Sequence, residues 1–192
     1  MPIGEAQREY RAAIAALVEA IRPLDDLERQ HCATALQWIH SGAPLCRTAR
    51  PATPPRHLVS YFVVYDPAAQ AVLLVDHRQA GLWLPSGGHV EPGEHPRDTV
   101  VREALEELQL AAQFLIPEPL LLTVTETVGT TAGHTDVSLW YVVRGDATQQ
   151  LCYDPGEFHS VAWFAAHAVP LQRADPHMGR FLAKLPRGLA RI

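Results

Sequence analysis

Three glutamates with helical spacing are the residues of this 192-residue chain best suited to chemistry. Glu103, Glu106 and Glu107 lie at positions i, i+3 and i+4, which brings their carboxylates together on one face of a helix. Like charges at this spacing repel each other by about 0.2–0.5 kcal/mol per pair, and a bound divalent cation would turn that repulsion into ligation. Oxygen ligands favour Mg²⁺ or Mn²⁺ over zinc. Taken alone, however, the triplet fits a solvated acidic helix face better than a metal site, because such faces are common on helices.

The segment before this helix adds backbone groups that a metal could use. Gly87 and Gly88 follow Trp83-Leu84-Pro85 directly, and glycine lets the backbone approach closely, so that a carbonyl there can reach a cation held by the glutamates. Pro92-Gly93 marks a tight turn that leads into the helix. Glu94 and Arg102 are placed to pair across the junction between turn and helix. Together these features predict one rigid metal-presenting unit.

The helix itself is predicted over residues 96–108. His95 is expected as its N-cap, Pro96 fits the first helical position, and Asp98 complements the positive end of the helix dipole. The i, i+3, i+4, i+7 spacing predicts a buried face opposite the three glutamates, made of Val101, Ala104, Leu105 and Leu108.

The complete pattern resembles the signature of the Nudix hydrolases, Gx5Ex7REUxEExGU with U an apolar residue. Gly88, Glu94, the run Arg102-Glu103-Ala104, the pair Glu106-Glu107 and Leu110 occupy its fixed positions. The resemblance covers about residues 57–185. One position departs, because Gln109 stands where the family has glycine; we expect this to cost about 1 kcal/mol or to shift the end of the helix.

This resemblance implies the roles of the motif residues. Glu103, Glu106 and Glu107 would be Mg²⁺ ligands (Mn²⁺ being an alternative ion), and Gly88 would supply a carbonyl. Glu103 could instead orient or deprotonate water. Glu94 and Arg102 would form the structural pair.

The implied activity is Mg²⁺-dependent hydrolysis of a pyrophosphate bond in a nucleoside diphosphate linked to another group. The substrate would be a nucleoside triphosphate or an ester of the ADP-ribose or NDP-sugar type. The alternative is a non-catalytic Nudix-fold module that senses a nucleotide or mediates an interaction. The intact set of glutamates disfavours that alternative.

Residues outside the motif are candidates for the remaining functions. Glu157, with Asp154 in reserve, lies in a late loop that could supply a general base. Arg78 could contact phosphate, and Trp83 could stack on a base; both residue types are also common at the surface or in a core.

The elements around the motif predict an α+β protein with a mixed β-sheet sandwiched between helices, and the resemblance implies that this is the Nudix fold. Residues 1–56 are expected to form an N-terminal helical hairpin extension with a proline-rich linker, and residues 57–192 the Nudix domain. The hairpin could dock on the domain, mediate dimerisation or cover a substrate. The expected elements are helices at 5–22, 25–40 and 175–185 and strands at 58–65, 71–76, 120–128, 135–144 and 160–164.

The composition excludes some classes of binding partner for this protein. The net charge of −5 argues against nucleic acid and anionic membranes, and residues 88–110 hold six acids against two arginines. The ten histidines include no HExxH or other close ligand pair, and we expect them to be surface or hydrogen-bonded residues. Three cysteines without CxxC spacing and no secretory signal predict a cytoplasmic protein. Its partner would be a small nucleotide, with a homodimer through the N-terminal helices or the sheet as a further expectation.

Overall fold

A computed structural model describes residues 4–49, 52–127 and 133–191, which form four α-helices and seven β-strands. The helices are α1 (Glu5–Ala20), α2 (Asp26–His40), α3 (Pro96–Leu108) and α4 (Met178–Leu189). The strands are β1 (Arg56–Asp66), β2 (Ala71–His77), β3 (Leu82–Leu84), β4 (Ser86–His89), β5 (Phe114–Glu126), β6 (Thr135–Arg144) and β7 (Phe158–Ala165).

The strands form one mixed sheet in the order β3-β2-β1-β6-β5, with β4 paired to β1 and β7 paired to β2. The long central pair, β1 and β6, is parallel, and the other pairs are antiparallel. β1 is almost continuously buried, as its uninterrupted run of β-branched and aromatic residues predicts for a strand covered on both faces. Residues 59–62 of β1 pair with β4, and in this register Ser60 lies opposite Gly88.

Each face of the sheet carries its own hydrophobic core. One core joins α1, α2 and α3 to side chains such as Phe62, and the other joins α4 to the opposite side of the same strands, including Val63. The predicted mixed sheet between helices is thus confirmed.

The N-terminal hairpin packs onto the sheet. Ile14 of α1 and Ile39 of α2 are buried in the same core as α3. The N-terminal end of α2 meets α4, where Lys184, the one lysine of the sequence, forms an ion pair with Glu28. Both side chains are almost fully buried (6% and 0% exposed). Of the three positions considered for the hairpin, the structure has it docked on the domain.

The remaining differences from the predicted elements are local. β3 and β4 are not predicted, because the segment 82–89 is short and rich in glycine, a composition typical of loops. β5 begins at Phe114, before the expected residue 120, and residue 128 of that predicted strand lies outside the described residues. In the described ranges, no helix is both long and apolar enough to cross a membrane.

Candidate active site

The helix that carries the glutamates begins and ends where the sequence predicts. His95 is the N-cap, with its Nδ1 accepting a 3.2 Å hydrogen bond from the amide of Arg97, and Pro96 is the first residue of α3. The helix ends at Leu108 because Gln109 takes the left-handed conformation, with φ of 49°. The end is therefore not shifted, and glutamine occupies the backbone position that glycine favours.

The predicted buried face of α3 is correct for Ala104 and Leu108 and wrong for Val101 and Leu105. Val101 and Leu105 are 47% and 60% exposed, whereas Val100, Ala104 and Leu108 are buried in the core. The helix is rolled about its axis relative to the apolar pattern, because its inner face also accommodates the Glu107 side chain. Val101 and Leu105 are exposed to solvent because the Glu107 carboxylate turns inward. Burying a carboxylate is costly, which indicates that Glu107 has a role beyond folding.

The three glutamates therefore differ in their surroundings. Glu107 is buried; its carboxylate accepts hydrogen bonds from the Ser86 hydroxyl and, at 3.3 Å, from the amide of Gly87. Glu103 is half-buried, with its side chain 13% exposed, and Glu106 is exposed. Nothing in the sequence pattern identified Ser86, because a lone serine before a glycine pair is common in turns.

Burial disfavours the charged forms of the two inner carboxylates, Glu103 and Glu107. It raises the pKa of Glu107 to about 8, and the charges of Glu103 and Glu157 push in the same direction, although the hydrogen bond from Ser86 opposes the shift. Burial also raises the pKa of Glu103, with the charges of Glu106 and Glu157 adding to the effect and Arg102 opposing it. The inner carboxylates thus have too little positive charge around them, which is the environment a divalent cation would relieve.

The glycine pair on β4 leaves no room for side chains. A Cβ at Gly88 would lie 2.0 Å from Oε1 of Glu103, and a Cβ at Gly87 would lie 2.2 Å from the carbonyl oxygen of Ser60. Gly87 also has a φ of 149°, which side chains rarely adopt. The Glu103 carboxylate consequently lies directly against the backbone of β4, in the position where a Gly88 carbonyl and a helix carboxylate could share a cation.

Arg102 connects the turn, the helix and β4. Its guanidinium makes a bidentate ion pair with Glu94 at 3.0 and 3.2 Å, and it also donates to Glu103 at 2.6 Å and to the carbonyl of His89 at 3.2 Å. Although burial opposes the effect, hydrogen bonds from Arg102, the Glu91 amide and Thr99 hold the pKa of the Glu94 carboxyl below its usual range. Glu94 therefore remains charged and fixes the guanidinium that orients Glu103.

The late loop lies beside the glutamates. The charge of Glu157 is close enough to raise the pKa of both Glu103 and Glu107, and its own side chain is exposed. Asp154 instead caps its own turn, because Oδ1 accepts a 2.7 Å hydrogen bond from the Gly156 amide. The structure thus brings Glu157 to the motif and gives Asp154 a local contact.

The two expected substrate contacts have other partners in the structure. Arg78 donates from Nε to the carbonyls of Pro155 and Phe158, at 2.8 and 3.2 Å, so that it anchors the loop that carries Glu157. Trp83 packs edge-to-face on Phe164 in the core beneath α4, on the side of the sheet opposite α3. Their roles as phosphate and base contacts stay predictions.

The site as a whole fits a hard divalent cation. The donor set consists of carboxylates and a backbone carbonyl. Burial raises the pKa of both inner carboxylates, Glu103 and Glu107. Beside Glu103, β4 has glycine, which leaves the backbone accessible. With Glu157 near these carboxylates, the arrangement, once it holds a cation, can neutralise the oxygens of a diphosphate and activate water beside it.

Comparison with known proteins agrees with this geometry. Residues 55–185 match the family model of the NUDIX domain. Among solved structures, the chain is similar to a MutT NUDIX hydrolase from Burkholderia pseudomallei, with 22% identity over 68% of this chain and 98% of that chain and a TM-score of 0.54. An Ap4A hydrolase of C. elegans is 20% identical over 70% and 98% of the two chains, with a TM-score of 0.54. The NUDIX domain of Shewanella oneidensis NrtR, complexed with ADP ribose, is 20% identical over 68% and 86%, with a TM-score of 0.53. The chain therefore belongs to the NUDIX family, the pyrophosphohydrolase family that its sequence motif resembles.

Proposed function

We propose that this protein is a Mg²⁺-dependent hydrolase that cleaves a pyrophosphate bond in a nucleoside diphosphate linked to another group. The observation that carries the proposal is the burial of Glu103 and Glu107 against the glycine backbone of β4. Glu103 has Arg102 as a positive partner, but the hydrogen bonds that Glu107 accepts come from neutral groups, and burying such a carboxylate is costly unless a cation binds beside it.

Glu103, Glu106 and Glu107, with the carbonyl of Gly88, would hold the metal. When bound, Mg²⁺ (or Mn²⁺) offsets the charge of the phosphate oxygens and lowers the pKa of water at the site. Ser86 fixes the Glu107 carboxylate, and the ion pair of Arg102 with Glu94 fixes Glu103. These supports keep the ligands in place before the substrate arrives.

Glu157 is the proposed general base. Its carboxylate takes a proton from the water that attacks phosphorus; the new phosphorus–oxygen bond forms as the anhydride bond breaks, and the departing phosphate carries away the electron pair. Arg78 acts indirectly, because it holds the loop on which Glu157 lies. Glu103 remains the alternative for orienting or deprotonating this water.

The ligands of the fold relatives support the proposed substrate class. Those relatives include an Ap4A hydrolase, a dihydroneopterin triphosphate pyrophosphohydrolase and a domain complexed with ADP ribose. Their named ligands share a phosphoanhydride and differ in what is attached to it. We therefore propose a nucleoside diphosphate joined to a further phosphate, sugar or nucleoside.

A substrate panel tests the proposal. The full-length chain is incubated with nucleoside triphosphates, ADP-ribose, NDP-sugars and dinucleoside polyphosphates, in Mg²⁺, in Mn²⁺ or in EDTA, and the products are separated by ion-exchange chromatography. We expect cleavage of at least one class in Mg²⁺ and none in EDTA. A panel that stays intact with both metals, while nucleotides still raise Tm, would contradict the proposal and favour a nucleotide-sensing module.

A further inference from the structure

A second cluster of ligand-type side chains lies at the other end of β4. His57 of β1, His89 of β4, and His134 and Asp136 at the start of β6 each offer one ligand atom, and all four atoms lie within 4.8 Å of one another. Nε2 of His57 and Nε2 of His134 lie 3.2 and 3.3 Å from the same oxygen, Oδ1 of Asp136. The cluster shares no residue with the glutamate site.

The hydrogen bond at Nδ1 of His57, the ring nitrogen directed away from the cluster, fixes the tautomer of this histidine. Nδ1 lies 3.0 Å from the carbonyl of Pro54, which can only accept a hydrogen bond, so that Nδ1 must carry the proton. In the neutral ring, Nε2 is then a bare lone pair that points into the cluster.

His134 has the same arrangement. Its Nδ1 lies 3.1 Å from the hydroxyl oxygen of Thr127, and that hydroxyl donates its own proton to the His134 carbonyl. With the hydroxyl proton directed to that carbonyl, Nδ1 of His134 is the donor to Oγ1, and Nε2 is left unprotonated toward Asp136. An outer nitrogen held by a carbonyl or hydroxyl is the usual second contact of a metal-binding histidine.

Hydrogen bonds within the cluster do not satisfy these atoms. Nε2 of His57, Nε2 of His89 and Oδ1 of Asp136 are buried and have no hydrogen-bond partner among the described residues, although the His57 and Asp136 atoms are only 3.2 Å apart. The side chains are well shielded, with His57 0%, His134 8% and Asp136 15% exposed. Nε2 of a neutral His57 ring and Oδ1 of Asp136 are both acceptors, and buried acceptors that face each other are costly unless a cation lies between them.

The donor set indicates which cation. Three imidazoles and one carboxylate favour a borderline ion such as Zn²⁺, whereas the glutamate site offers only oxygen. In a tetrahedral zinc site with bonds of about 2.0–2.1 Å, neighbouring ligand atoms lie about 3.4 Å apart, close to the two separations to Asp136 Oδ1. Four protein ligands are typical of a closed, structural zinc site.

We propose that His57, His89, His134 and Asp136 form a structural Zn²⁺ site that links β1, β4 and β6. Two of these strands, β1 and β6, are the central parallel pair, with His57 and Asp136 in direct register. The third ligand directly follows Gly88, and its carbonyl accepts from Arg102. The zinc site would therefore fix β4 at His89, next to the glycine backbone against which Glu103 lies.

Metal binding by the tag-free, full-length chain tests the proposal. The protein is stripped with a chelator and titrated with ZnCl₂ alone; bound metal is counted by mass spectrometry, and Tm is followed. Co²⁺ is then substituted, since tetrahedral Co²⁺ absorbs strongly in the visible. We expect one tightly bound Zn²⁺ per chain, a rise in Tm on binding, a tetrahedral Co²⁺ spectrum, and imidazole ligands in X-ray absorption.

Matched variants assign the site. Asp136→Asn and His134→Gln should weaken Zn²⁺ binding by more than about 100-fold, and Thr127→Val, which removes the hydroxyl that contacts Nδ1 of His134, by about 10–100-fold. His40→Gln and His159→Gln, at exposed positions, should bind zinc like the wild type. The double variant Glu106→Gln/Glu107→Gln should also retain zinc, which separates this site from the proposed catalytic one.

Several results would overturn the proposal. One is a wild-type chain that binds no stoichiometric Zn²⁺ after stripping. Others are a Co²⁺ spectrum of octahedral type, or zinc that is lost with the glutamate double variant and kept by Asp136→Asn. If the cluster variants fail to fold, the Co²⁺ spectrum and X-ray absorption of the wild type alone decide the outcome.

Discussion

The backbone amide of Asp154 donates a 3.0 Å hydrogen bond to the carbonyl of Glu107. This bond ties the loop that carries Glu157 to the last turn of the helix that carries the glutamates. Arg78 holds the same loop from its other side, through the carbonyls of Pro155 and Phe158. The position of the proposed base relative to the proposed metal ligands is thus set by backbone contacts.

Glu157→Gln should lower kcat by about 10²–10⁴-fold, because a positioned general base contributes about that factor. The side chain is exposed, so Tm should change little. Asp154→Asn is the matched control, since an asparagine oxygen still accepts from the Gly156 amide. Steady-state kinetics at saturating Mg²⁺ check both variants. Loss of turnover in Asp154→Asn with normal turnover in Glu157→Gln would transfer the role to Asp154.

Gly88→Ala and Gly87→Ala should have different effects. The new methyl group at residue 88 meets the flexible end of Glu103, which can move aside, so we expect a fall in activity with Tm nearly preserved. The methyl group at residue 87 meets the Ser60 backbone at a φ of 149°, so we expect loss of stability. Thermal unfolding and turnover are measured for both. Equal losses of Tm would show that Gly88 is needed only for packing.

The buried ion pair of Glu28 and Lys184 should hold the N-terminal hairpin on α4. Lys184→Met leaves Glu28 buried and uncompensated, and should cost about 3–5 kcal/mol in the free energy of unfolding. Arg29→Gln, which breaks the exposed pair with Asp26, should cost less than about 1 kcal/mol. Denaturant unfolding gives both values. Similar costs for the two variants would argue that the buried pair contributes nothing special to docking.

Asp175 should make stability depend on pH. Burial raises the pKa of its carboxyl from 3.8 to about 6 in the folded protein. Between these values the unfolded state has released a proton that the folded state retains, so the Asp175 contribution to stability falls as pH rises from about 4 to about 6. Asp175→Asn should therefore match the wild type near pH 4 and become progressively more stable than it up to pH 6, by at most about 1.4 kcal/mol per pH unit.

The control variant, Asp146→Asn, should show a stability difference that changes with pH in the opposite direction. Hydrogen bonds from Thr148 hold the pKa of the exposed Asp146 carboxyl below its usual value. Its contribution is present above the ordinary pKa and is lost as pH falls, so Asp146→Asn should be less stable than the wild type at neutral pH and equal to it in acid. Urea unfolding from pH 2 to 7 measures both differences. A pH-independent difference for Asp175→Asn would contradict the assignment.

Sequence patterns were informative where the interaction is local in the chain. The N-cap at His95, the start at Pro96 and the spacing of the glutamates depend on neighbours within two helical turns, and the structure reproduces them. The roll of α3 was not predictable from the apolar pattern, because Glu107 turns inward to meet Ser86 on a strand that the sequence does not reveal. The histidine cluster was missed for the same reason, since residues 57, 89 and 134 meet only through the pairing of β1 with β4 and β6.

Turnover by Glu107→Gln in Mg²⁺, on the substrate that the wild type cleaves best, tests the central claim most directly. The amide oxygen still accepts from Ser86 and avoids the cost of a buried carboxylate, so Tm should be unchanged or higher, while kcat should fall by about 10²-fold or more as a metal ligand is lost. Glu118→Gln, exposed on β5, is the matched control and should behave as the wild type. Normal Mg²⁺-dependent turnover in Glu107→Gln would contradict the account.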